Sequence, residues 1–275
     1  MTGPGKRAAD NRLCVDRVLP MDMKIEAARK AIHVNPDNNP LTGFTKPAGA
    51  TLSPLKMALI TGKRWHLTGQ VLRVRFLDGS PKQRTKTQEK AGEWEQYANV
   101  RFDWSGSRDA EVRISFAADP GSWSAVGTDC LHAEYFKPNE PTMNFGWLRE
   151  DTDDLEWQRV VVHEFGHALG AIHEHQNPEG GIEWNEEAVF AMFSGPPNNW
   201  SKDAIRANVI DKYSLNQLNA TTFDRLSIML YPFPRELIVK PVELAMKGTP
   251  TNTDLSKMDK QFIGTMYPQG VVKKS

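Results

Sequence analysis

Cysteine is scarce in this chain: Cys14 and Cys130 are the only two among 275 residues. That is too few for a disulfide framework, so a small stapled scaffold is excluded and a packed core must carry the stability. A single Cys14–Cys130 bridge stays open. Long apolar runs are missing as well, which excludes a membrane-spanning helix. The opening stretch, MTGPGKRAADNRLCVDRVLP, lacks the apolar centre of a secretory leader. The expected location is therefore cytoplasmic by default, with export only by a non-classical route. Nor is there an excess of charge: 34 Lys plus Arg balance 34 Asp plus Glu. No global field favours nucleic acid or an anionic membrane, and neither is expected as a partner. Oligomeric state stays undetermined. Internal repeats are absent, which excludes solenoids.

What is present reads as an α+β layer. Residues 1–59 form an N-terminal arm or pro-like extension, rich in Pro, Gly, Asn and charge, with one short amphipathic helix around 21–33. In VLRVRFL (71–77), Leu72, Val74 and Phe76 alternate with arginines, the pattern of a half-buried strand. A helix is expected over 88–98, where Ala91, Trp94 and Ala98 recur at helical spacing. VRFDWS (100–105) and EVRISF (111–116) alternate again, and PTMNFGWL (141–148) is expected as a fourth strand at a sheet edge. A helix starts near Leu155. Asp151, Asp153 and Asp154 complement its dipole, a reading preferred over a calcium site because the EF-hand spacing is lacking. Short helices follow around 185–193 and 201–212, then irregular chain to 254. Ser256 and Asp259 open a last helix that Pro268 stops.

The chemistry concentrates in VVHEFGHALGAIHEH (161–175), which holds four of the seven histidines. On a helix, His163 and His167 project from one face a turn apart, so both imidazoles reach one metal ion. Glu164 lies about 100° round the helix, beside the metal without occupying it, as a base for metal-activated water requires. Gly170 can take a left-handed conformation that ends the helix and returns His173 as a third ligand. Three neutral nitrogens leave an open position, the arrangement of a catalytic zinc rather than a structural one. HExxH alone leaves room for a chance grouping; HExxHxxGxxH does not, and it is the metzincin signature. That signature demands a methionine turn downstream, and FDRLSIMLYPFP (223–234) supplies Met229 as a soft floor under the imidazoles.

With both elements in place, the chain resembles the metzincin zinc proteases, and among them the astacin family most closely. Glu174 directly follows the third histidine, as in astacins, and Tyr231 lies two residues after the methionine. The variant is divergent and microbial in type: Leu230 stands where astacins usually carry histidine, and the family's disulfide cysteines are absent. The resemblance implies a two-lobed zinc protease. Its N-terminal lobe would hold a mixed sheet plus two helices. Its C-terminal lobe would be mostly irregular, with short helices and a final helix. Residues 60–275 would then be the metzincin-like catalytic domain, with its cleft near residue 170.

The function so implied is a zinc-dependent endopeptidase hydrolysing internal bonds of polypeptides, with one catalytic zinc held by His163, His167 and His173. Glu164 would assist attack by zinc-bound water, and Tyr231 would stabilise the oxyanion unless it is an interface tyrosine with a backbone partner. The strand over 142–147 could hold substrate by strand addition, and Trp147 is expected in the core. Glu174 would anchor a newly exposed N-terminus, as in the family. Cys14 and Asp16 in RLCVDRVLP are both capable of holding the metal in a latent form. For Cys14, packing of the arm and a disulfide to Cys130 compete with that reading. The alternative function is a catalytically silent, zinc-containing peptide-binding protein, which would have no need of Glu164.

Overall fold

Two apolar clusters organise the computed structural model, which describes residues 14–17, 19–20, 22–39, 62–66, 69–119, 121–177, 180–196, 198–212 and 222–269. The larger cluster joins the sheet and the long helix to Ile263, Met266 and Tyr267 near the end of the chain. The second is built by Trp184, Phe193, Val209, Tyr231, Phe233 and Leu237. Trp147 packs against both. Each cluster is the core of one lobe, so the α+β, two-lobed arrangement is present.

The main sheet has six described strands in the order β1 (Val15–Asp16), β5 (Trp123–Ser124), β6 (Met143–Asn144), β4 (Val112–Ser115), β2 (Gln70–Phe76), β3 (Val100–Asp103). Strands β2, β3, β4 and β6 run parallel, whereas β5 is antiparallel to β6. Leu72 and Val74 are buried as their alternation predicts, but β4 is buried at every position. Arg113 breaks the expected outward pattern. Its guanidinium turns in and donates to the carbonyls of Ala110, Phe136, Lys137 and Glu140, tying down a loop that has no regular structure of its own.

Three expectations need correcting. Residues 141–148 do not form an edge: β6 lies inside the sheet, and β5 separates it from the arm strand β1. The helix expected over 88–98 lies earlier, as α2 (Pro81–Ala91), because Ser80 and Gln83 form a capping box with Pro81 in the first turn. Trp94 and Ala98 are buried, but from a single 3-10 turn after Gly92 rather than from a continuing helix. A short helix, α4 (Glu186–Phe193), forms where one was expected, but the stretch before residue 254 is not wholly irregular. There β8 (Ile238–Lys240) pairs with β7 (Glu183–Trp184), and α6 (Val242–Lys247) follows. Both cysteines are free and buried, so the Cys14–Cys130 bridge is not formed.

The central helix α3 (Asp154–Ala168) begins where the Asp153 carboxylate accepts from the Leu155 amide at 2.9 Å. Trp157, Val160, Val161, Val162 and Phe165 are fully buried, so packing on several sides fixes the rotation of the helix. Its last carbonyls are not orphaned: Trp65 donates to Ala168 at 2.8 Å, and the Tyr267 hydroxyl to Leu169 at 2.6 Å. The arm is attached at several points. Helix α1 (Lys24–Val34) buries Ala27 and Ala31, Asn35 donates to the Trp65 carbonyl, and Leu19 joins the larger core. Among the described residues, no helix is long and apolar enough to cross a membrane.

Candidate metal centre

Helix α3 places His163 and His167 one turn apart, and Gly170 turns the chain with a φ of 94°, the left-handed conformation expected of it. His173 comes back against the first two. The three Nε2 atoms stand 3.1, 3.1 and 3.3 Å from one another, in rings that are almost fully buried. Nitrogens bound tetrahedrally to zinc at about 2.0–2.1 Å would lie roughly 3.3 Å apart, so the spacing fits. The Nδ1 of His163 lies 2.8 Å from the Ile228 carbonyl, and that of His167 lies 2.9 Å from the Ala171 carbonyl. A carbonyl only accepts, so these Nδ1 atoms carry the protons and the Nε2 lone pairs turn inward. Burial, and then the neighbouring His167 and His173, hold the His163 imidazole well below its usual pKa, in its neutral, ligating form. Among the described residues this is the single grouping of such side chains able to hold a metal.

A turn from later in the chain packs against helix α3 in the larger cluster. Residues 227–230 form a tight turn in which Leu230 N–H donates to the Ser227 carbonyl and Met229 is buried. Gly166 makes the approach possible: a Cβ there would sit 2.5 Å from the Met229 sulfur. The turn is held by Asp259, whose carboxylate accepts from Ser227 Oγ, Ile228 N and Ser256 N at 2.7, 2.9 and 2.9 Å. Helix α7 (Lys257–Met266) is thus capped by the same side chain that orients the carbonyl supporting His163. Stranding the buried Ile228 N–H by removing that carboxylate would cost about 1–3 kcal/mol.

Glu164 directly follows His163 on helix α3 and is fully buried. The Tyr231 ring lies 4.1 Å from that of His173, and its hydroxyl donates to the backbone carbonyl of Cys14. The Cys14 thiol is itself buried and faces Glu164; burial first, then that carboxylate, push it well above its ordinary pKa. The backbone of β1 brings Asp16 alongside Ser124, but its side chain lies outside the described residues. Glu174 sits behind the site, its amide donating to the Met229 carbonyl. The Glu174 carboxylate accepts from Asp224 N and Asn177 Nδ2, and burial pushes it up to about 7. With Asp224 and Asp259 it lines a cavity whose apolar wall is formed by Trp94, Met229 and Phe262.

The expected ligands, base, methionine and tyrosine therefore meet in one place, and Cys14 with them. Sequence reasoning missed Gly166, the hold of Asp259 on Ser227 and Ile228, and strand β5. Gly166 carried a signal, since glycine inside a buried helix calls for a close neighbour. For β5, two residues give no period to read.

The comparisons with known proteins point one way. No family model matches the chain, and no curated protein does. A solved structure of myroilysin aligns with a TM-score of 0.69 at 39% identity, over 76% of this chain and 97% of that one. A second, a crystal structure of myroilysin, aligns at 40% identity with a TM-score of 0.58, over 75% of this chain and 86% of that one. High choriolytic enzyme 1, a hatching-enzyme zinc protease from the medaka fish Oryzias latipes, is similar in fold. It aligns at 17% identity with a TM-score of 0.50, over 74% of this chain and 92% of that one.

A three-imidazole centre of this kind should retain about one zinc per chain through dialysis and lose it to a strong chelator. His167→Ala removes a ligand and should leave well under a tenth of that zinc under the same dialysis. Metal analysis of both proteins decides, and equal substoichiometric zinc in the two would exclude the centre.

Proposed function

The chain belongs to the astacin-like metzincin zinc proteases, and on that footing we propose that it hydrolyses internal peptide bonds of polypeptides with Glu164 as base. The observation that carries this reading is three converging imidazole nitrogens, with a fully buried glutamate one residue after the first ligand on the same helix. Metal binding alone has no use for that carboxylate, which argues against a silent peptide-binding protein. His163, His167 and His173 would hold the zinc, with Met229 as the soft floor beneath them. Zinc bound there supplies Lewis acidity, polarising a water molecule and the scissile carbonyl. Glu164 takes the proton of the attacking water and passes it to the leaving amine. The Tyr231 hydroxyl donates to the oxyanion as it forms. In this structure the hydroxyl donates to the Cys14 carbonyl of the arm, so the role requires that the arm leave.

Substrate would add to the edge of β5, in the place that β1 now takes. Residues 60–275 would be the catalytic domain, cleft near residue 170, and residues 1–59 its latency arm. Cys14 is the better of the two candidate latency ligands: its thiol faces the base and its carbonyl occupies the tyrosine. Once the arm is cut, the ammonium of the new N-terminus would enter the cavity beside Glu174, where a buried carboxyl held at about 7 gains an opposite charge.

Glu164→Gln should keep its zinc yet lose turnover by about a thousandfold, since an amide cannot take the water's proton. Tyr231→Phe should lower kcat about tenfold to a hundredfold with little change in KM, because the contact strengthens in the transition state. Kinetics on one internally quenched peptide read both. A Tyr231→Phe effect confined to KM would remove the oxyanion role.

Latency is tested on the same peptide with the intact chain, Cys14→Ala, Asp16→Ala and a chain starting near residue 50. Low activity in the intact form, with release on loss of Cys14 or of the arm, is expected. Full activity of the intact chain would show that the arm is structural.

A further inference from the structure

One histidine of HEFGHALGAIHEH is not in the metal cluster. His175 is fully buried two residues beyond His173, on the short 3-10 turn Glu174–Gln176. Its Nε2 lies 2.9 Å from the Asn208 carbonyl oxygen, so that nitrogen carries the proton and donates. Asn208 belongs to a π-helical turn, Arg206–Ile210, that continues α5 (Lys202–Ile205). The neighbouring Gln176 reaches the same region, donating to the Ala207 and Asp211 carbonyls at 2.6 and 2.9 Å. The segment after the third ligand is thereby laced to the second lobe. π-helical turns leave carbonyls off the regular ladder, and here two of them receive side chains from the metal-site segment.

The ring itself faces the site. It lies 5.0 Å from the His173 ring at 28° and 5.0 Å from the Tyr231 ring at 31°, near-parallel to both. Two rings contact it edge-on: Phe233 at 4.9 Å and 78°, and Trp184 at 6.1 Å and 84°. A phenol moves its hydroxyl by ångströms when it turns about its side-chain bonds. Misplacement by about 1 Å can cost on the order of a hundredfold in rate. Tyr231 thus needs a wall, and His175 is a braced and tethered one.

We propose that His175 is a positioning residue for Tyr231: tethered to the Asn208 carbonyl, its ring holds the phenol against the His173 imidazole, so that the hydroxyl meets the carbonyl under attack. The role rests on the reading of Tyr231 given above. It differs from that of a histidine that only knits two buried segments together, because it acts through the tyrosine hydroxyl and therefore vanishes when that hydroxyl is removed.

The test is a double-mutant cycle on the full chain in its turning-over form, Cys14→Ala if the arm proves inhibitory and wild type if not. His175→Ala should lower kcat about tenfold, leave KM within about twofold and leave zinc content unchanged. His175→Phe, which keeps a ring but no tether, should recover most of kcat; His175→Gln, which keeps a donor but no ring, should not. In a Tyr231→Phe background all three should change kcat by less than about twofold. A crystal structure of His175→Ala should show the phenol turned away from His173. Equal losses in the two backgrounds overturn the proposal, as does rescue by Gln but not by Phe. Should His175→Ala fail to fold, the Phe and Gln variants in both backgrounds still decide. If Tyr231→Phe alone leaves kcat unchanged, the oxyanion role of the phenol fails and His175 falls with it. A tyrosine effect with additive histidine losses overturns His175 alone.

Discussion

Three imidazole lone pairs pointing at one another across 3.1–3.3 Å, in a buried site, are mutually repulsive unless a cation lies between them. Much of the structure serves to impose that arrangement. The helix period sets the first two rings, and Gly170 turns the chain so that the third can face them. Carbonyls of Ile228 and Ala171 fix the protonated edges of two rings. Ile228 is in turn fixed by Asp259, at the start of the final helix. Loss of such supporting contacts typically weakens metal affinity about 10–100-fold. The end of the chain thus bears on a ligand almost a hundred residues earlier.

The two lobes divide the work. The first supplies rigid elements: a helix buried along most of its length, whose C-terminal carbonyls are capped by Trp65 and Tyr267. The second supplies Tyr231 and the aromatic rings around it, while the turn bearing Met229 packs into the larger cluster. The arm lies across both, adding a strand to β5, sending a carbonyl to Tyr231 and a thiol towards Glu164. The groups proposed as oxyanion donor and base are thereby both engaged by the N-terminal segment, and the proposed latency rests on those two contacts.

How much of this was legible in the sequence differs from element to element. The ligand set was readable because an i, i+4 histidine pair followed by a glycine and a third histidine leaves little geometric choice. The strands with clear alternation, β2, β3 and β4, lie where the pattern put them. The helix misplaced to 88–98 followed the spacing of Ala91, Trp94 and Ala98 alone; the Ser80–Gln83 capping box, which sets the true start, lies upstream of that stretch. Strands β1 and β5 are too short for any period, so they were invisible and β6 was given an edge position that the sheet does not leave it. Arg113 reads as an outward charge and Asp259 only as part of a helix start; their buried partners, distant in sequence, reveal both as clamps.

The central claim is that a buried glutamate beside a three-histidine metal centre cleaves polypeptides internally. The most direct measurement is a digest of a proteome-derived peptide mixture, read by mass spectrometry. It is run with the wild-type chain, the Cys14→Ala chain and Glu164→Ala made in each. New internal termini should appear with at least one of the Glu164-containing proteins, disappear with chelator, and be absent from both Glu164→Ala digests although zinc is retained. The same termini from zinc-loaded Glu164→Ala, or no cleavage by any of the proteins, would contradict the account.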